Sequence, residues 1–363
     1  MTAFALYRLP HQQSYTSVIQ EDDEPEELHS VKDLNGKSGF VIAPFMPSAN
    51  CPILLMRPDT VTQKAVPSPL ANPTHKHNEE TVDEKDSPSY DMAEKEAYAN
   101  DFHRFLKQIQ EGRFQKVVLA RCKRMTLSSL MPPTMEELFL RACQMYPRLF
   151  IALVSTPQSG TWLMATPEIL LSGKGCDFAT MSLAGTQTAP SPQRVTDETA
   201  KEIVWSTKNM EEQQYVSDYI EDVIASFTPH YSKKGPYTTM AAQLFHLRTD
   251  FQFHLDDTAQ LGDVLEALFP TPAVCGMPKE EARQFIIDNE SIERKYYSGF
   301  VGPLMPQGDT HLFVSLRCMN ILQDGHFDLY AGGGLLAESE LQKEWDETEA
   351  KLATMKAVLS LNV

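Results

Sequence analysis

The sequence predicts an α+β fold of antiparallel strands with interspersed helices. Three observations carry this. Short β-rich apolar runs recur along the chain, neighbouring runs are often separated by only short turns, and longer segments place apolar residues at helical spacing. A regular βαβ repeat would instead alternate each strand with a helix.

The elements follow in order. Residues 1–100 form an N-terminal segment with two solvated stretches. Glu21–Glu27 (EDDEPEE) is acidic, and Thr60–Asn100 mixes Pro, Asn, His, Lys, Glu and Ser. The second stretch reads as a loop running into a polar helix start. The segment is expected to pack on, or form part of, the same fold as residues 101–363. Phe102–Gly112 has helical spacing. Gln115–Lys123 (QKVVLARCK) and Leu149–Ser155 (LFIALVS) are β-rich. Thr161–Gly173 reads as two short strands broken at Thr166-Pro167. Thr207–Phe227 is a helix, because Val216, Tyr219, Ile220, Val223 and Ile224 recur on one face. Pro278–Asp288 is a second helix. His311–Leu322 and Gly325–Tyr330 read as a strand pair around Gln323–Gly325. Leu341–Leu361 is a closing amphipathic helix.

The length of 363 residues suits about two domains or one large one. The net charge of −17 argues against nucleic acid or an anionic membrane as the main partner. No apolar run reaches the roughly 18–20 residues of a membrane span. The start MTAFALYRLPHQQ has no charged region followed by a long apolar stretch, so no secretory signal is expected. The six cysteines form no C-x-x-C pair and read as free thiols in a reducing cytoplasm.

Glu212 lies four residues before Val216 and seven before Tyr219, so it projects from the apolar stripe of its helix. A carboxylate there is costly unless it is paired or binds a cation. In the last helix Glu344, Glu347 and Lys351 share one sector beside the stripe of Trp345, Thr348, Leu352 and Met355. Two helices presenting acids toward a core suit a hard divalent cation. Taken alone, the last helix favours a plainer reading, a surface Glu347–Lys351 i,i+4 pair.

Four other polar features stand out. Lys116 opens an apolar strand, where desolvation lowers an amine's pKa and fits it for a base; an edge lysine reaching water is the plainer reading. Glu168 follows Pro167 between apolar strands, as a general acid or as a turn carboxylate. Arg317 is embedded in a strand and needs an anion, either an Asp/Glu or a substrate carboxylate. Gly332-Gly333-Gly334 follows a strand and lets backbone approach an anion. No P-loop, H-E-x-x-H or G-x-S-x-G motif is present.

Eight ordered blocks resemble the chorismate-utilising enzymes. They are FQKVVLAR (114–121), ATPEILL (165–171), LAGT (183–186), STKNMEEQQYVSDYI (206–220), LFPTPAVCGMP (268–278), RKYYSGFVGPL (294–304), FVSLRCMNI (313–321) and YAGGGLLAESELQKEWDETEAKL (330–352). They span 101–363. The resemblance implies one large domain with two stacked, mostly antiparallel sheets and outer helices. It also implies Mg²⁺ as cofactor and chorismate as small-molecule substrate, with no obligate protein partner.

By position, Glu212 and Glu347 match the metal-binding acids, and Glu344 a neighbouring acid of the same site. Tyr297, Arg317 and the backbone around Gly332 match positions that hold the enolpyruvyl carboxylate. Ala184, Gly185, Thr186, Ala273, Val274, Gly333 and Lys351 complete the implied substrate-binding set. Lys116 stands where ammonia-adding members have Gln, and Pro270–Val274 resembles the version in isochorismate synthases. Three positions depart from the family: Gln213 for a usual His, Phe269 for a common His, and Gln187 for a frequent Arg. The implied reaction adds water at ring C2 with Lys116 as base, and expels the C4 hydroxyl with Glu168 as acid. A salicylate synthase, or a non-catalytic anion-binding relative, is the alternative.

Overall fold

The computed structural model describes residues 3–67, 88–127, 133–188, 200, 203–242, 244–306 and 308–360. The N-terminal segment supplies β1 (Ala3–Arg8), β2 (Ser14–Gln20), β3 (Glu26–Leu28), β4 (Gly39–Ala43), β5 (Ile53–Met56) and β6 (Thr60–Ala65). Then come α1 (Pro88–Gln110), β7 (Lys116–Thr126), α2 (Met135–Met145), β8 (Phe150–Thr156), β9 (Gly160–Thr166), β10 (Ile169–Lys174) and β11 (Asp177–Thr188). The remainder is α3 (Thr207–Phe227), β12 (Tyr231–Ala241), β13 (Leu244–His254), α4 (Leu261–Leu268), β14 (Gly276–Met277), α5 (Lys279–Asn289), β15 (Phe300–Leu304), β16 (Asp309–Val314), β17 (Cys318–Ile321), β18 (His326–Leu335) and α6 (Leu341–Leu359).

Among the described residues the strands form two nine-stranded sheets. One runs β14-β7-β18-β17-β9-β8-β1-β2-β6, and the other β12-β13-β11-β10-β16-β15-β4-β5-β3. Neighbouring strands pair antiparallel throughout, as in β7 with β18 and β11 with β13. The sheets stack face to face over a core drawn from both, with Phe150 of β8 on Phe313 of β16 at 4.1 Å. Helices α2 and α6 cover the outer face of the first sheet, and α3 and α4 that of the second. Helices α1 and α5 close the end around β7. This explains why Leu149–Val154 reads as an unbroken apolar run: β8 is buried on both faces.

The N-terminal segment contributes β1, β2 and β6 to the first sheet and β3, β4 and β5 to the second. Two sequence readings need correction. The polar stretch read as a loop opens with strand β6, whose six side chains are all exposed. An edge strand whose side chains are solvated on both faces has no apolar alternation to reveal it. Residues 68–87 of that stretch lie outside the described residues. His311–Leu322 is not one strand. It breaks at Ser315–Arg317, so β16 belongs to one sheet and β17 to the other. Arg317 turns the chain with φ 46°, a conformation that no glycine or proline there announces. The expected helices match α1, α3, α5 and α6, although α1 begins earlier, at Pro88.

Candidate active site

A cavity of about 630 Å³, measured out to open solvent, lies where β7 and β18 of one sheet meet β11 and β13 of the other. Most of the expected site residues line it. Ala184, Gly185 and Thr186 come from β11, Ala273 and Val274 from the turn before β14, and Gly332 from β18. Glu168, Glu212, Tyr297, Arg317 and Lys351 also line it. Lys116, Gly333, Glu344 and Glu347 are not among its lining residues.

Lys116 sits behind Glu212. It is fully buried, and its surroundings are not only apolar: Nζ lies 2.9 Å from Glu212 Oε1. Burial pushes the Glu212 carboxyl up, but Lys116, Lys208 and Lys351 outweigh it and hold the group below the ordinary range. Gly334 makes the approach possible. A Cβ there would stand 2.3 Å from Glu212 Oε1 and 2.7 Å from Lys116 Cε.

Glu168 occupies the bend between β9 and β10 and is 2% exposed. Its peptide groups are tied down, with its N–H donating to Thr166 Oγ1 at 3.3 Å and its C=O accepting from Val314 N at 2.9 Å. Among the described residues its Oε1 has no hydrogen-bond partner. Burial pushes its carboxyl up to about 8, against the opposing pull of Lys116 and Lys351. Burial thus favours its protonated form, unlike that of a solvated turn carboxylate.

Arg317 resolves an alternative that the sequence leaves open. Among the described residues no Asp or Glu pairs with it. Its Nη1 donates to Ala241 O at 2.8 Å and its Nη2 to His246 Nε2 at 2.7 Å. Burial pulls this guanidinium down to about 10. A buried cation without an acid, on a cavity wall, calls for an anion from outside.

His246, which the sequence reading missed, orients it. Guanidinium only donates, so His246 Nε2 accepts, and Nδ1–H donates to Gly185 O at 2.9 Å. Burial, then Arg317 and Lys351, hold His246 neutral, well below the usual imidazole range. Gly185 supplies that carbonyl from a β-bulge between Ala184 and Thr186, at φ 71°. His246 sits inside an apolar alternation on β13 and gives little sequence signal beyond its own polarity.

Glu344 and Glu347 face a neighbouring cleft that shares Thr186 with the cavity. Lys208, a second residue missed from sequence, donates to Glu344 Oε1. Lys351 donates to Glu347 Oε1 at 2.7 Å and to Gly332 O at 2.8 Å, so the plain helix pair and the site residue coexist. Among the described residues the buried Glu344 Oε2 has no hydrogen-bond partner. A Cβ on Gly333 would stand 3.3 Å from that atom and 3.5 Å from Glu347 Oε1. Among the described residues no three acids, histidines or cysteines converge tightly enough to form a closed metal cage. An all-oxygen donor set with an orphaned buried oxygen nevertheless fits a hard cation.

The three departures are accommodated structurally. Gln213 Nε2 donates to Ser182 Oγ at 2.7 Å and Thr249 Oγ1 at 3.1 Å, pinning α3 to its sheet. Phe269 packs edge-on against Phe300. Gln187 donates to Val204 O at 3.0 Å.

Comparison with known proteins adds to this geometry. The model of the chorismate binding enzyme family matches residues 56–360. The chain belongs to the chorismate-binding enzymes. Isochorismate synthase DhbC of Bacillus subtilis is 30% identical over 280 residues, covering 75% of this chain and 69% of that protein. In three further curated relatives the match covers 53% to 65% of their length. Among solved structures, the menaquinone-specific isochorismate synthase MenF of Escherichia coli superposes with a TM-score of 0.77 at 20% identity, covering 99% of this chain and 89% of that one. Anthranilate synthase component I of Streptococcus pneumoniae superposes at 0.68 and 16%, covering 98% and 90%. The fold is thus common to chorismate enzymes of different chemistry, and the side chains in the cavity must choose among them.

Proposed function

We propose that the chain is an isochorismate synthase, an isomerase that converts chorismate to isochorismate with Mg²⁺. The observation that carries this reading is one cavity with a buried carboxyl, Glu168, on its wall and a buried lysine, Lys116, paired with the wall residue Glu212. Addition of water at C2 needs a base, and Lys116, released from Glu212, takes the proton. Departure of the C4 hydroxyl needs an acid, and Glu168 supplies the proton so that water leaves. The ring double bonds shift between the two events. One water enters and one leaves, so the reaction needs no redox partner.

Arg317, held by His246 and Ala241 O, takes a carboxylate of the substrate, with Tyr297 beside it. Glu212, Glu344 and Glu347 would hold Mg²⁺, which supplies charge neutralisation for the ring carboxylate when bound. Relatives that add ammonia share this fold, but a glutamine at position 116 could not take a proton from water. The product would serve a menaquinone or siderophore route in the cytoplasm.

The test is a chorismate assay with and without Mg²⁺, with products separated by chromatography. A reversible mixture of chorismate and isochorismate is expected, dependent on Mg²⁺ and without pyruvate release. Salicylate with pyruvate would move the chain to the salicylate synthases. No consumption would overturn the enzymatic reading.

A further inference from the structure

Strand β7 pairs with β18 along its inner edge, where Val118, Leu119 and Ala120 face Gly334, Gly333 and Gly332. On its outer edge the two-residue strand β14 covers only Lys116 and Val117. The next backbone groups on that edge would be left open inside the protein, which is expensive. Val118 N–H is taken by Cys275 O at 2.6 Å. Beyond it an ion pair stands in for the missing strand. Arg294 Nη2 donates to Val118 O at 2.9 Å, and Glu290 Oε1 accepts from Ala120 N–H at 2.7 Å. The two side chains join through a double contact, 2.6 Å at each bond. Arg294 Nη1 also donates to Val274 O at 2.8 Å.

We propose that the Glu290–Arg294 pair is a positioning device, which fixes the separation between β7 and the Ala273–Val274 turn. Val118 and Val274 both line the cavity, and Lys116 lies two residues upstream of Val118. Tyr297 follows three residues after Arg294, with its N–H bonded to Arg294 O at 2.9 Å. Arg294 therefore ties three parts of the wall together, two through its guanidinium and one through its backbone carbonyl, and is not itself a lining residue. A planar fork with five donors can serve two carbonyls and a carboxylate at once; an ammonium has neither the reach nor the geometry. The pair sets where the base stands, whereas Arg317 and Tyr297 set how the substrate is held. The kinetic consequence rests on the isochorismate synthase reading; the structural one does not.

The test compares Arg294→Lys and Glu290→Gln with the unmodified protein. Arg294→Lys keeps the charge opposite Glu290 and loses the fork. Glu290→Gln keeps an acceptor for Ala120 N–H. With Mg²⁺ and chorismate, Arg294→Lys is expected to lower kcat at least ten-fold while KM changes less than three-fold, and Glu290→Gln is expected to lose less. Hydrogen exchange of the Ala120 amide is expected to quicken in Arg294→Lys at temperatures where circular dichroism reports a native fold.

Wild-type kcat and KM in Arg294→Lys would overturn the proposal. So would a rise in KM at unchanged kcat, or a loss of activity that vanishes on cooling. If Arg294→Lys fails to fold, Glu290→Gln decides alone, by lowered kcat with unchanged KM or by no effect. If the unmodified protein does not consume chorismate, the functional reading fails. The exchange of Ala120 then still decides whether the pair holds β7.

Discussion

The cavity's cation wall and the acid wall that runs from it into the neighbouring cleft are built on opposite principles. The cation wall is closed by bonds to backbone: Arg317 rests on Ala241 O and on His246, which rests on Gly185 O. The acid wall is closed by lysines: Glu212 leans on Lys116, Glu344 on Lys208, and Glu347 on Lys351. Backbone carbonyls cannot move without the sheets, but the partly exposed Lys208 and Lys351 chains can swing away. The difference teaches that the first wall is preorganised for a fixed anion, whereas the second holds its charge in exchangeable pairs. Such pairs suit groups that must change partners when substrate and cation enter.

The sharpest way to break the comparison is to remove the proposed base and acid. Lys116→Ala and Glu168→Gln are each expected to reduce chorismate turnover by about 10³-fold or more, with circular dichroism unchanged. A fully active Lys116→Ala protein would contradict the role of that wall.

Next is Gly334→Ala. The added methyl would meet the ends of Glu212 and Lys116, which can move, so the fold should persist while activity falls on the order of 10²-fold. Retained activity in that variant would mean that the Lys116–Glu212 contact is dispensable.

Arg317→Lys tests the cation wall. Loss of the fork is expected to raise KM for chorismate about ten-fold or more, with a smaller effect on kcat. Steady-state kinetics would reveal a loss confined to kcat, which would remove Arg317 from substrate binding.

The smallest effect is read in stability. The folded state raises the Glu168 carboxyl from the ordinary 4.5 to about 8. Folding therefore retains a proton that the unfolded chain releases. The stability tied to that proton is fully present below pH 4.5 and is lost as pH rises through about 8. Wild-type stability should fall relative to Glu168→Gln by a few kcal/mol, as an order of magnitude, between pH 5 and 9. Denaturant melts at both pH values measure this, and parallel curves would deny the buried acid. The same group predicts that kcat/KM declines above about pH 8, as the acid loses its proton.

Strands β7, β8 and β9 and helices α3 and α6 were legible because they bury whole faces, and burial writes periodicity into sequence. Strand β12 was not, since most of its residues are exposed at a sheet edge. The carboxylate of Glu212 was legible as a charge on an apolar stripe. Lys208 was not, one turn earlier on the same helix, because a lysine near a helix start reads as solvated surface. His246 and Glu290 were missed for a different reason. Their meaning lies in which distant backbone atoms they reach, Gly185 O and Ala120 N–H, and only topology brings those together.

The turn at Arg317 has a mechanical side. The chain leaves one sheet at Val314 and enters the other at Cys318, so the guanidinium sits on the seam between them. An anion gripped there is anchored to both layers at once. Prising the layers apart would have to release it, so occupancy of the cavity should lock the two layers against sliding.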